Sequence, residues 1–213
     1  VTVNSSDPAR GNVSGDTTML FLDTVSVAAT TNYGYHFTQW SDGNTDNPRV
    51  LILTRDTILT AMFAKNSYSI TLAVDSSVHG SVTGAGTHGY LDDCTVSAIA
   101  NYGYYFTVWN DGDTTNPRTI TLTQDTTFTA MFAKNTYTIT AISNDTIKGM
   151  GAGNSSVEYL DSVKITAVPN YGYHFMAWND GNTSNPRTIE ATRDSLFTAY
   201  FDYNQYSIIL NEI

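Results

Sequence analysis

Cysteine is almost missing: Cys94 stands alone among 213 residues. One thiol closes no internal disulfide and builds no cysteine metal cluster. Charge is scarce as well, at 14% of residues, and it is lopsided, with Lys+Arg 10 against Asp+Glu 20. A net charge of −10 without a basic cluster repels phosphate, which excludes nucleic acid as a partner and disfavours anionic lipid surfaces. No apolar run approaches the roughly 18 residues of a spanning helix, so no membrane insertion is expected within this stretch. A signal peptide is missing too, which fits a mature protein or an excised piece. Nor does any segment sustain an apolar period of 3.6, leaving room for at most one helical turn, near Asn116 or Gln124.

Aromatic side chains, by contrast, are plentiful at 12%, which argues against disorder. They recur at a fixed step. Asn32-Tyr33-Gly34-Tyr35-His36-Phe37 returns at Asn101–Phe106 and again at Asn170–Phe175, each time 69 positions on. Trp40, Trp109 and Trp178 keep the same step, as do Asn47-Pro48-Arg49, Asn116-Pro117-Arg118 and Asn185-Pro186-Arg187. Ala61-Met62-Phe63, Ala130-Met131-Phe132 and Ala199-Tyr200-Phe201 close the three copies. No insertion or deletion interrupts the register, so each copy should share one backbone. The units are 1–66, 67–135 and 136–204, with 205–213 starting a further strand or forming a C-terminal extension. The chain reads as cut from a longer array.

Each unit reads as five or six short strands. Tyr68–Val74 alternates, Tyr104–Trp109 is aromatic and β-branched, and Thr127–Phe132 closes the copy. Asn110-Asp111-Gly112-Asp113 is a turn. A 69-residue unit buries only about 60% of its extended surface, so aromatics must supply much of its core. The candidates are Phe37, Trp40 and Phe63, then Phe106, Trp109 and Phe132, then Phe175, Trp178 and Phe201. Phe37 and Trp40 are three apart; a flat strand would turn them to opposite faces, so one points outward or a bulge re-aims it. The joins leave about four residues and no flexible linker, which implies contacting neighbours and a stiff array. Three units of roughly 11 Å radius of gyration would make a rod of about 85 Å. The first-strand pattern occurs four times for three units and could belong to the unit before it or the unit after.

The run Gly-Tyr-x-Phe-x-x-Trp, then Asp-Gly, Asn-Pro-Arg and a closing Thr-Ala-x-Phe, resembles the divergent internalin-type B-repeats of the Listeria–Bacteroides repeat group. The resemblance spans the chain three times. It implies mainly β, β-grasp-like units strung along bacterial cell-surface or secreted proteins as stalks, spacers or adhesion modules, beside adjacent domains of a longer chain. No catalytic residue and no cofactor come with it. The best-known members close with Trp where this chain has Phe63, Phe132 and Phe201.

Four functional readings compete with that of a plain spacer. Catalysis finds little support, because His36, His79, His88 and His174 are scattered and Tyr105 replaces His36 in the second copy. Calcium is suggested by Asp42, Asn44 and Asp46, oxygen ligands at alternating positions, but no Glu follows and tight turns use the same residues. Glycan or host-protein binding would use Tyr33, Tyr35, Tyr102, Tyr104, Tyr171 and Tyr173 as a platform, or the loops that vary at fixed length. Asp-Thr/Ser pairs such as Asp23-Thr24 are similar to O-glycosylation signals, and equally suit turns. A spacer needs none of these, and a monomeric, extracellular, non-enzymatic stalk is the expectation.

Overall fold

A computed structural model describes residues 1–209 of the chain. Its regular elements are all strands, and no helix occurs among the described residues. The helical turn expected near Asn116 or Gln124 does not form; both positions are bends. Both lie in short polar connections between strands, where a bend reverses the chain without a helix.

The first repeat holds β1 (Thr2–Ser5), β2 (Gly11–Ser14), β3 (Thr24–Thr31), β4 (Tyr35–Trp40), β5 (Arg49–Ile52) and β6 (Ile58–Lys65). They form two small sheets, ordered β1-β6-β4 and β2-β3-β5. In the first sheet β1 runs parallel to β6 and β4 antiparallel to it. The middle repeat holds β7 (Ser67–Val74), β8 (Gly80–Thr83), β9 (Gly86–Gly89), β10 (Asp93–Ala100), β11 (Tyr104–Trp109), β12 (Arg118–Thr121) and β13 (Thr126–Lys134). Again first and last strand pair in parallel, β7 with β13, while β9 pairs β7 and β12 pairs β10 antiparallel. The third repeat holds β14 (Thr136–Ser143), β15 (Gly149–Ala152), β16 (Ser155–Glu158), β17 (Ser162–Pro169), β18 (Tyr173–Trp178), β19 (Arg187–Glu190) and β20 (Ser195–Tyr203). Its sheets are β16-β14-β20-β18 and β15-β17-β19.

These pairings settle the phase of the repeat. Each first strand hydrogen-bonds the last strand of the copy that follows it in sequence. The join is tighter than the sequence suggests, because β6 ends at Lys65 and β7 begins at Ser67, leaving Asn66 alone between them. Asn135 has the same place between β13 and β14. Gln205–Ile209 form no strand, and Leu210–Ile213, also within the expected further strand, lie outside the described residues.

The strands alternate as half-buried sheets do: β3 and β10 both read exposed, buried, exposed, buried from their first residue. Trp40, Trp109 and Trp178 are at most 1% exposed. Phe63, Phe132 and Phe201 are buried, and Phe37, Phe106 and Phe175 are half-buried. A bulge between Phe37 and Gln39, matched between Phe175 and Ala177, turns both aromatics of the strand inward. The Phe37 ring therefore lies 5.4 Å from Trp40 and 6.2 Å from Phe63. Truncating a core tryptophan of this kind costs about 3–5 kcal/mol.

The chain divides into two compact bodies. One comprises Val1–Val74, Val82–Ala98 and Val108–Ala130; the other comprises Asp75–Ser81, Ile99–Thr107 and the chain from Met131. The Tyr33–Tyr90 contact is internal to the first body, and the Tyr102–Tyr159 contact is internal to the second.

Candidate interaction face

Tyr33 and Tyr35 flank Gly34, whose φ of 85° is the left-handed region that favours glycine. That conformation turns the chain sharply into β4 and leaves the glycine flat against its neighbour. Gly34 is buried, and the neighbour is Tyr90 of the second repeat: a Cβ at position 34 would run into that ring. The Tyr90 ring meets Tyr33 edge-on at 5.6 Å, Tyr35 at 5.4 Å and Tyr68 at 6.3 Å. Edge-to-face packing at such distances is favourable for aromatic quadrupoles. Main-chain bonds tie the same spot: Asn66 N–H donates to the Gly34 carbonyl, and Tyr90 N–H donates to the Asn66 carbonyl, both at 2.8 Å. The Tyr33 hydroxyl donates to the Thr123 carbonyl at 2.9 Å. Burial and the neighbouring Tyr68 and Tyr90 push that hydroxyl's pKa above its ordinary value. Lys65 Nζ pairs with Asp92 at 2.6 Å beside it.

The second joint repeats the first residue for residue. Tyr159 takes the place of Tyr90, with Tyr102 at 5.7 Å, Tyr104 at 5.6 Å and Tyr137 at 6.3 Å. Tyr102 donates to the Thr192 carbonyl at 2.8 Å. A Cβ on Gly103 would strike Tyr159, and Lys134 lies 3.5 Å from Asp161. The plug residues Tyr90 and Tyr159 were not among the sequence-derived candidates. Each sits on a turn whose next residue has positive φ, Leu91 at 61° and Leu160 at 69°. Leu91 N–H to Leu122 O at 2.7 Å, and Leu160 N–H to Ala191 O at 2.9 Å, hold the turn in that sparse conformation.

The third copy of the face is built alike but open. Tyr171 is 99% exposed, and Tyr173 stacks on Tyr203 of its own repeat at 5.0 Å. His36 and His174 lie at the rim, bonded through Nδ1 to Asn66 and Asn204. His79 instead pairs with Asp75 and stacks 4.6 Å from Tyr104. Burial draws the Asp75 pKa upward, but hydrogen bonds from His79 and from the N–H groups of Phe132 and Ser76 outweigh it.

The acidic turn serves an internal purpose. Asp42 Oδ2 lies 2.7 Å from Arg49 Nη1, and that guanidinium holds the Asp42 carboxyl below the usual range. Asn44 Oδ1 accepts from Asp46 N–H at 2.9 Å. Thus Asp42 and Asn44 are engaged within the turn, and no cluster of three or more His, Cys, Asp or Glu that could hold a metal occurs among the described residues. The Asp–Arg pair, seven apart, recurs as Asp111–Arg118 and Asp180–Arg187. Arg118 is buried and lies over Trp109 and Phe128. The asparagine of Asn-Pro-Arg works like a strand: Asn47 Oδ1 accepts from Ala29 N–H, and its Nδ2 donates to Ala29 O at 2.7 Å.

Two features, the gapless β unit and the tyrosine plug that seats each unit on the next, define a tandem-repeat protein. Its units match the Divergent InlB B-repeat domain at residues 1–67, 70–136 and 135–205, and the chain belongs to that family. This family consists of non-catalytic structural repeats typical of bacterial surface proteins. No curated protein and no solved structure matched the chain. No helix among the described residues is long and apolar enough to cross a membrane.

Proposed function

We propose that the array is a spacer on a bacterial cell-surface or secreted protein, an extracellular stalk that carries adjacent domains of a longer chain. The observation that carries this reading is the duplicated joint. A one-residue connection, a plugged glycine and a hydroxyl-to-carbonyl bond at each repeat boundary resist bending where a flexible tether would not. The three tryptophans are core residues, leaving no exposed indole for a sugar ring. Four of the six candidate face tyrosines pack against a neighbouring repeat. The parallel pairing of first and last strand supports the β-grasp-like description of each unit. We take the chain to be monomeric, with no catalytic or cofactor role.

Small-angle scattering of the monomer tests the reading. A maximum dimension near 85 Å, from units of roughly 11 Å radius of gyration, supports it. A compact particle of about 50–60 Å, the size expected if the units fold back on one another, contradicts it and favours glycan or host-protein recognition through a shared face.

A further inference from the structure

We propose that the Tyr171–Gly172–Tyr173 face of the third repeat is a docking face for another unit of this same repeat type. The unit it takes is one presenting an aromatic side chain over Gly172 and a backbone carbonyl to the Tyr171 hydroxyl. Three observations lead there. First, the two equivalent faces in this chain are both occupied in one manner. Gly34 and Gly103 are buried under Tyr90 and Tyr159, whereas nothing lies within 4 Å of where a Gly172 Cβ would sit. Second, the third repeat has already assembled its own half of the joint. Asn204 N–H donates to the Gly172 carbonyl at 2.8 Å, as Asn66 does to Gly34 and Asn135 to Gly103. Third, the backbone there has the geometry of the filled faces, with φ of 87° at Gly172 against 85° at Gly34 and Gly103.

The complementary edge is present on the first repeat. Phe21 stands 69 positions before Tyr90 and is 73% exposed. It is carried on the same turn, with Leu22 at φ 71° and Leu22 N–H donating to Leu53 O at 2.7 Å. Thr54 occupies the place of Thr123, and Asp23 that of Asp92. Beside Phe21 lies a cleft of about 770 Å³, bounded by Val1, Thr2 and Leu53–Ile58. An aromatic plug, a carbonyl acceptor and a concave edge are what the Tyr171 face lacks.

The inference deepens the spacer reading, because a face that accepts a further unit lets the array lengthen in steps. The two fail separately: a compact scattering envelope sinks the spacer and leaves the docking face untouched. The test is a double chain, residues 1–207 followed directly by a second copy of 1–213, which keeps the 69-residue step across the junction. Tyrosine nitration by tetranitromethane is followed by peptide mass spectrometry in the single and double chains. In the single chain Tyr171 should react fastest of the three equivalent tyrosines. In the double chain half of the Tyr171 signal should slow several-fold, to the rate of Tyr33 and Tyr102. Phe21→Ser in the second copy alone should return that half to the fast rate, with Tyr33 and Tyr102 unchanged as the check on folding. Uniformly fast Tyr171 in the double chain overturns the proposal, as does slowing that survives Phe21→Ser.

Discussion

The Tyr33 hydroxyl donates to the carbonyl of Thr123, ninety positions further along the chain. The bond recurs at 2.8 Å between Tyr102 and Thr192. It joins the turn leading into β4 or β11 of one repeat to the loop before the last strand of the next. Tyr171, the third tyrosine of the series, is 99% exposed against 66% for Tyr33 and 68% for Tyr102. Removing the hydroxyl should therefore matter at two positions and not at the third. Tyr33→Phe and Tyr102→Phe should each lower the thermal midpoint measurably, while Tyr171→Phe leaves it unchanged. Equal midpoints for all three variants would contradict the joint.

The plug should outweigh the bond. Tyr90→Ala removes three ring contacts and empties the space over Gly34. We expect a loss of about 2 kcal/mol in chemical denaturation, and the same for Tyr159→Ala. Phe21→Ala, at the equivalent but exposed position, should stay within about 0.5 kcal/mol of the parent.

Asn116 should matter through its side chain alone. It accepts from Ala98 N–H at 2.8 Å and donates to Ala98 O at 2.7 Å, two residues past the Val96–Arg118 pair of β10 and β12. Asn116→Ala leaves both main-chain groups without that partner and should cost about 2 kcal/mol in a denaturant titration. Asn116→Asp keeps the acceptor but sets a carboxylate against the Ala98 carbonyl, and should not rescue the loss.

Acid should weaken the fold in a defined direction. Lys65 and the Gly89 N–H hold the Asp92 carboxyl below its ordinary range, and Arg49 does the same for Asp42. At Asp180 burial pulls upward, but Arg187 and the Asn182 N–H prevail, and the carboxyl is again lowered. A carboxylate whose pKa is depressed by folding contributes stability that is present above its unfolded value, about 4. That contribution is lost as pH falls through the folded value. The thermal midpoint should thus be level from about pH 8 to 5 and fall below about 4, with a smaller fall in Asp92→Asn. A midpoint that rises on acidification would contradict the assignment.

Much of this architecture can be read without coordinates, because the repeat is gapless and each strand alternates. Trp40 and Phe63 identify themselves as core by recurring unchanged in type at a fixed step. The joint was harder to see. Its plugs are Tyr90 and Tyr159, and the same position holds the exposed Phe21 in the first copy, inside a segment whose neighbours vary freely. An aromatic held at the 69-residue step within such a segment is the signal that would have found it. The bulge at Phe37 was equally hidden, since the sequence allowed it as one of two answers and only the pairing with β6 chooses. The acidic turn reads two ways for a physical reason. Carboxylates spaced for a cation are also spaced for an arginine seven residues on, and here Arg49, held in β5 by its pairing with β3, reaches Asp42.

The most direct test of the interlocked array compares two glycines of one repeat. Gly34 and Gly43 share a φ of 85°, so alanine meets the same backbone strain at each, about 1–2 kcal/mol. They differ in surroundings: a Cβ at Gly34 strikes Tyr90, and a Cβ at Gly43 meets nothing within 4 Å. Gly34→Ala should therefore exceed Gly43→Ala by at least about 1 kcal/mol in equilibrium unfolding, the cost of overpacking a filled site. The same gap should separate Gly103→Ala from Gly112→Ala. Equal costs within each pair would mean that the tyrosine plug does not seat one repeat on the next, and the account of a stiff array would fall.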